Sequence, residues 1–434
     1  MALALDPSVG VEVAADAVDR ALLAGADSAK VMHGYQQQFE VNFDTHDVTL
    51  VRSTVSDSLS ITVFVDGCRG ATELTGRGHD AVDRAVKEAV TAARAGQPDF
   101  ANVLPEDPAT EAVSDGDEVP DKEQMIDAVL RFISAVRDEY PSLRTESSAY
   151  AFECTWRSYA NSYGRVQHAR RGRYRVNVMS SGKDGERSTS FNHGAVVSER
   201  PTADLATLVP IHRLLEDLAA SFDPQPVPAT FVGDLIFTPE ALSVAAGTIA
   251  QAVSGMALIR KGTPFADSLG KAIAAPSFSL LHQPSALAGS TPFDAEGFAN
   301  GDLDIIRDGV LSNFLIDWYS AHRLDRPMTT GCTNFVVAPG ETPLEELIAS
   351  TDQGILLGRF SGGMPNQKLD FSGVAKSSFY VEGGKVRGPL SETMIAGNFA
   401  DVLQQIRAVS RETVDFGYFS GPWVAARGVT ISTK

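Results

Sequence analysis

Residues 9 to 24 place valine, alanine and leucine at spacings of three and four, and the pattern stops at Gly25. That spacing predicts an amphipathic helix closed by a glycine C-cap. Two runs of alternating apolar and polar residues follow, FEVNFDTHDVTLVRS (39–53) and SLSITVFVDG (58–67), and each reads as a strand. The second ends in an Asp66-Gly67 turn. HDAVDRAVKEAVTAARAG (79–96) returns to the helical period, opening near Asp80 and closing at Gly96. The order is helix, strand, strand, helix.

The pattern then lapses. PEDPATEAVSDGDEVPDK (105–122) is acidic and rich in Pro and Asp, which predicts an exposed linker. KEQMIDAVLRFISAV (122–136) predicts a helix, several β-runs extend to about residue 199, and TADLATLVPIHRLLEDLAASF (202–222) predicts another helix. DPQPVPA (223–229) reads as a junction. Beyond it, one helical run, PEALSVAAGTIAQAVSG (239–255), precedes short β-runs separated by glycine turns. The expected fold class is therefore α+β. An N-terminal α/β domain of two helix-and-sheet units spans 1–226, and a β-rich, barrel-like C-terminal domain spans 227–434. No internal repeat of 20–50 residues is present.

Composition narrows the function. The 434 residues are 43% hydrophobic, enough to bury a full core. Net charge is −18, from 55 acidic and 37 basic residues, and such a balance repels nucleic-acid phosphates and anionic lipid. No apolar run is long enough for a membrane-spanning helix, and MALALDPSVGVEV lacks the basic start and apolar core of a signal peptide. Cys68, Cys154 and Cys332 are far apart and odd in number, without zinc-ligand spacing. A reduced, cytoplasmic setting with three buried thiols fits them.

GILLGRFSGGMPNQKLDFSG (354–373) has five glycines and one proline, a composition that brings backbone close to something. Gly358 and Gly363 have P-loop separation, but Met364 and Pro365 follow where a phosphate-binding loop needs Lys and Ser/Thr. A dinucleotide fingerprint is absent. Ser372 and Lys376 are one residue too far apart for S-x-x-K, and no serine sits in G-x-S-x-G. None of the eight histidines (33, 46, 79, 168, 193, 212, 282 and 322) lies three or four residues from another, so no helical pair grips a metal. FDAEGFANGDLDIIRDG fails as a calcium loop, because Phe298 or Ile305 falls on a required position. It reads better as a β-hairpin turning at Asp308-Gly309. Arg171, Arg173 and Arg175 share one face of a strand, expected to be solvated, with an anionic contact or a subunit interface left open.

Five segments of the C-terminal half, in order, resemble the TldD/PmbA family, once called modulators of DNA gyrase and regarded as peptidase subunits. They are RKGTPFADSLGK (260–271), STPFDAEG (290–297), DIIRDGVLSNFLIDWYSAHRL (304–324), DFSGVAKSSFYVEGGKV (370–386) and PLSETMIAGN (389–398). The resemblance implies two kinds of subunit. TldD-like chains carry H-E-x-x-x-H on the helix before the RKGT-like segment, with a late cysteine completing a zinc site. The zinc lowers its water's pKa toward about 7 and so supplies a nucleophile. In this sequence the matching positions fall near Gly247, Thr248 and Ala252, and no cysteine follows Cys332.

The chain thus resembles the second kind, PmbA-like or TldE-like, which lacks those ligands. The resemblance implies no catalytic residue, no metal ligand and no cofactor in this chain. Zinc is expected on a TldD-like H-E-x-x-x-H partner in a heterodimer, with unfolded or small peptides as substrate and neither nucleic acid nor membrane as partner. A homodimeric binding protein without peptidase activity, and a pathway-specific amide hydrolase or transferase, are the alternatives. Arg359, Gly362, Gly363, Asn366 and Asp370 are the expected contacts to a peptide or to the partner; tight β-turns alone would equally account for that glycine-rich stretch. Leu369 stands before Asp370 where relatives often have glycine, which sets a question about the local backbone.

Overall fold

The computed structural model describes residues 7–331, 334–362, 365–391 and 393–433. Helix α1 (Pro7–Leu23) leads into two long strands, β1 (Ser28–Phe43) and β2 (Val48–Val65), then β3 (Cys68–Thr75) and α2 (His79–Arg94). Asp66 and Gly67 both have positive φ, 49° and 73°, as a two-residue hairpin of this hand requires. The single strand expected over 39–53 is two strands. The Asp44 carboxylate accepts the backbone N–H groups of His46 (2.7 Å) and Asp47 (3.2 Å), which turns the chain between β1 and β2.

The next elements are β4 (Thr110–Asp115), α3 (Lys122–Glu139), β5 (Leu143–Thr145), β6 (Ser148–Asn161), β7 (Val166–Asp184), β8 (Arg187–Ser188), β9 (Asn192–Ser198) and α4 (Val209–Ala219). The helix expected over 202–222 shortens because Pro210, lacking an N–H, fits only its first turn. Instead of two helix-and-sheet units, one sheet runs β3-β2-β1-β6-β7-β4, with β5, β8 and β9 added to β7. The acidic stretch 105–122 is likewise no linker, since β4 within it pairs in parallel with β7.

Side-chain alternation gives this sheet two different faces. Odd positions of β1 (Val31, Tyr35, Phe39, Val41) and even positions of β6 and β7 (Tyr150, Phe152, Tyr174, Val176) are buried beneath the four helices. The opposite face carries Lys30, Met32, Tyr159, Ala169, Arg171 and Arg173, and residues 288–300 of the C-terminal half lie against it.

The C-terminal half contains β10 (Phe231–Phe237), α5 (Pro239–Ala252), α6 (Gly255–Ile259), β11 (Leu280–His282), β12 (Leu303–Arg307), β13 (Val310–Leu311), α7 (Trp318–Leu324), β14 (Phe335–Val337) and α8 (Leu344–Ala349). It continues with β15 (Gln353–Leu357), β16 (Arg359–Gly362), β17 (Asp370–Lys376), β18 (Phe379–Glu382), β19 (Lys385–Pro389), β20 (Thr393–Asn398), α9 (Phe399–Gln404), β21 (Ile406–Asp415) and β22 (Phe419–Thr433). The hairpin foreseen at Asp308-Gly309 forms, with φ of 49° and 79°.

β22 organises this half, pairing with β10, β14, β20 and β21 along its length. The sheet path ends at β13 on one side and β19 on the other, so the α+β class holds but this sheet is an open one rather than a barrel. Thr238 caps α5 by accepting from the Ala241 N–H, Pro239 sits at its first position, and Ala241, Leu242, Ala245, Ala246 and Ile249 bury one face of the helix in the core. No helix among the described residues is long and apolar enough to cross a membrane.

Candidate functional site: the cleft beside helix α5

The face of α5 turned away from the core carries Val244, Gly247, Thr248 and Gln251, spaced three and four apart, and lines a cleft. A cavity of about 540 Å³ lies between this face and Ser254, Met256, Leu315, Asp317 and Ser320. It adjoins one of about 230 Å³ bounded by Arg260, Gly262, Pro365, Asn366 and Gln367, and the two share Thr248, Gln251, Ser254 and Met256. A smaller apolar cavity of about 120 Å³, between Val244, Phe360, Gly362 and Phe371, flanks them. Gly247 leaves this surface open: a Cβ built there meets no atom within 4 Å.

The donor set does not suit zinc. The Thr248 hydroxyl bonds back to the Val244 carbonyl at 3.1 Å, and the Ser254 hydroxyl caps α6. Asp317, the one carboxylate among the described residues lining the larger cavity, caps α7 by accepting the Ser320 N–H at 2.8 Å. Zinc sites are built from three or four thiolate, imidazole or carboxylate ligands. Among the described residues no group of three such side chains is placed to hold a metal. Cys332, next to the Gly331 that lines the larger cavity, lies outside the described residues.

The sequence-derived contact residues separate on this surface. Asn366 lines the cleft and Gly362 the apolar cavity, whereas Arg359 sits elsewhere, its guanidinium 5.1 Å over the Phe191 ring, and Gly363 lies outside the described residues. The Asn366 side chain is occupied locally. Its Oδ1 accepts the N–H groups of Lys368 (2.8 Å) and Asp370 (3.0 Å), and its Nδ2 donates to the Asp370 carboxylate at 3.0 Å. Asn398 donates to the same carboxylate, and these bonds hold its pKa below the usual range for a carboxyl group. Asn366 therefore works as a turn-former whose backbone borders the cleft.

The backbone question at Leu369 has a direct answer. Leu369 takes the left-handed conformation, φ 69°, that glycine would adopt without penalty, and its side chain is 4% exposed in the C-terminal core. A left-handed non-glycine residue costs about 1–2 kcal/mol, and burying a leucine contributes about 1.5–3 kcal/mol, so packing offsets the strain.

The glycine-rich stretch forms structure as well as turns. β16 pairs antiparallel with β17, Gly362 opposite Gly373, and a Cβ at Gly362 would stand 2.6 Å from the Gly373 Cα. Among the described residues β16 has only this one neighbour strand, so its outer edge is unpaired. The cleft residues missed by sequence reasoning are Gln251, Ser254, Arg260 and Gln367. The available signal was the polar stripe on an otherwise alanine-rich α5.

Two of the three arginines on this face of β7 are drawn into the seam rather than solvated, and a cavity of about 160 Å³ lies over all three. Asp115 on β4 pairs with Arg171 (2.8 Å) and Arg173 (2.7 Å), one carboxylate oxygen to each. Both arginines also donate to the C-terminal half, Arg171 to Ser290 and Arg173 to the Ala288 carbonyl. Arg175 alone stays largely exposed, 3.7 Å from Glu153. The buried thiols expected are found at Cys68 and Cys154, and burial pushes Cys154 up to about 11.

Residues 232–433 match the profile of the PmbA/TldA metallopeptidase C-terminal domain. By this match the C-terminal half is similar to the PmbA/TldD family, and likeness to PmbA proteins extends along most of the chain. The chain is 28% identical to Metalloprotease PmbA of Escherichia coli O157:H7 over 404 residues, covering 89% of this chain and 88% of that one. It is 27% identical to the Metalloprotease PmbA homolog of Haemophilus influenzae, covering 91% and 89%. The structure of TldE from Thermococcus kodakarensis has the same fold, with a TM-score of 0.80 at 20% identity over 97% of this chain and all of that one.

Proposed function

We propose that this chain is the non-catalytic, PmbA/TldE-like subunit of a heteromeric zinc peptidase. The observation that carries the reading is the chemistry of α5. Where the zinc-bearing kind of subunit places H-E-x-x-x-H, this helix turns Gly247 and Thr248 to the cleft and follows them with Ala252. A hydroxyl bonded back to its own helix neither ligates zinc nor takes a proton from water near neutral pH. The zinc and the general base then belong to a TldD-like partner, and this chain contributes surface.

That surface suits an extended peptide. The unpaired edge of β16 offers backbone groups for strand addition, which gives affinity without strong sequence choice. The cleft lined by Gln251, Asn366 and Gln367 adds amide groups that can hydrogen-bond a peptide backbone. Unfolded or small peptides fit this description.

The test is metal content and peptide hydrolysis of the purified chain, alone and mixed with an H-E-x-x-x-H subunit. The expected result is a zinc-free, inert chain that accelerates cleavage by the partner. Zinc binding with cleavage by the chain alone would overturn the reading.

A further inference from the structure

A separate cavity of about 260 Å³ lies where β8 and the end of α4 meet the β17–β18 corner, away from the cleft beside α5. Among the described residues seven serine and threonine side chains line it, and Lys376 is the one charged residue of its wall. The hydroxyls of Ser188, Ser190, Ser377 and Ser391 make no hydrogen bond among the described residues. Ser377 holds a left-handed backbone, φ 48°, at the corner. Ser188 and Ser190 are exposed and Ser377 and Ser391 half-buried, so these hydroxyls are open to solvent and free to meet a ligand.

Among the described residues the charges beside it are unbalanced. Lys376 on β17 stands directly opposite Arg359 on β16, which places both side chains on the same face of the sheet. Like charges facing each other across strands are destabilising. Neither has a carboxylate partner among the described residues, although the chain has 55 acidic residues. The Arg359 Nε is buried without an acceptor, and burial alone acts on its guanidinium, lowering its pKa. The guanidinium rests over Phe191, next in sequence to Ser190 of the cavity wall. The nearby carboxylates of Asp184 and Asp223 are both taken by Arg187.

We propose that this cavity binds a compact oxyanion, held by Lys376 and Arg359 and by the hydroxyls of Ser190, Ser377 and Ser391. Carboxylate and phosphate oxygens accept from ammonium, guanidinium and hydroxyl donors alike, and a single such group neutralises the facing cations. Two sources supply that chemistry, the C-terminal carboxylate of a peptide and inorganic phosphate. The site stands independently of the subunit reading, because it involves no residue of the α5 cleft.

The experiment titrates the full chain at constant ionic strength with inorganic phosphate, with a short peptide bearing a free C-terminus, and with its amidated form, reading heat of binding and thermal midpoint. At least one anion is expected to bind saturably and to raise the midpoint. K376Q and R359Q each weaken that binding at least tenfold, while the anion-free midpoint of K376Q equals or exceeds that of the unsubstituted chain, because a repulsion has been removed. Preference for the free-acid peptide over the amide identifies a carboxylate ligand; binding of phosphate alone identifies phosphate. Absence of saturable binding by either anion, or binding unchanged in both variants, overturns the proposal. A lowered midpoint in anion-free K376Q overturns it as well, since the lysine would then have a stabilising partner of its own.

Discussion

Asp115 and Arg173 stand 2.7 Å apart at the seam between the two halves of the chain, with the arginine side chain 9% exposed and the aspartate 31% exposed. The same carboxylate holds Arg171, and both arginines reach on to residues 288–290. One acidic residue in a stretch that reads as a linker thus neutralises two cations joining the halves.

Removing that carboxylate should loosen the seam. D115N leaves the half-buried Arg171 without a counter-charge and the buried Arg173 with only Glu199 at 3.5 Å, at a cost of about 1–3 kcal/mol, towards the lower end because the carboxylate is partly solvated. Burial works to raise the Asp115 pKa, but the hydrogen bond from Arg173 and the charges of both arginines outweigh it and hold it below the ordinary value. A group lowered on folding contributes stability that is complete above the unfolded value, about 3.9, and is lost as pH falls through the lower native value. Urea unfolding between pH 7 and pH 3 should show a steeper acid loss in the unsubstituted chain than in D115N; parallel curves would contradict this.

At Leu369, strain and packing can be separated by two substitutions. L369A keeps the left-handed residue and loses the buried side chain, a cost of about 2–5 kcal/mol. L369G loses the same contacts but relieves the backbone, and should be more stable than L369A by about 1 kcal/mol. In an ordinary helix the order is reversed. Denaturant midpoints of the two variants decide it.

Gly247 allows the cleft to be blocked without disturbing the core. Because a Cβ there meets nothing, G247A should raise stability by about 0.5–1 kcal/mol through helix propensity. G247F should fold with a normal midpoint while lowering peptide cleavage by the mixed complex several-fold. A G247F chain that folds normally and supports full cleavage would remove the cleft from the substrate's path.

Asn366 tests the turn that borders the cleft. N366A leaves the N–H groups of Lys368 and Asp370 without their side-chain acceptor, costing about 1 kcal/mol. With the turn slackened, KM of the mixed complex should rise more than kcat falls. Unchanged cleavage and assembly would leave the segment a purely structural set of turns.

Much of the local structure was written in the sequence. Thr238-Pro239 starts α5, and Asp66-Gly67 and Asp308-Gly309 turn two hairpins, because caps and tight turns depend on a few adjacent residues and their own φ angles. The Gly247, Thr248 and Ala252 positions that speak against zinc chemistry were legible through the resemblance of the RKGT segment to the family, which implies where on α5 the ligands would stand.

Tertiary structure decided the rest. The fate of Arg171 depended on Asp115, 56 residues away, and on Ser290, 119 residues away. Arg359 and Lys376 face each other only because β16 and β17 pair in that register. The acidic stretch gained a strand from β7, and β22 gathered four partners from across the C-terminal half. Local propensity carries no record of such pairings. They form when burial and charge neutralisation outweigh the entropy of closing long loops, and that balance exists only in the assembled fold.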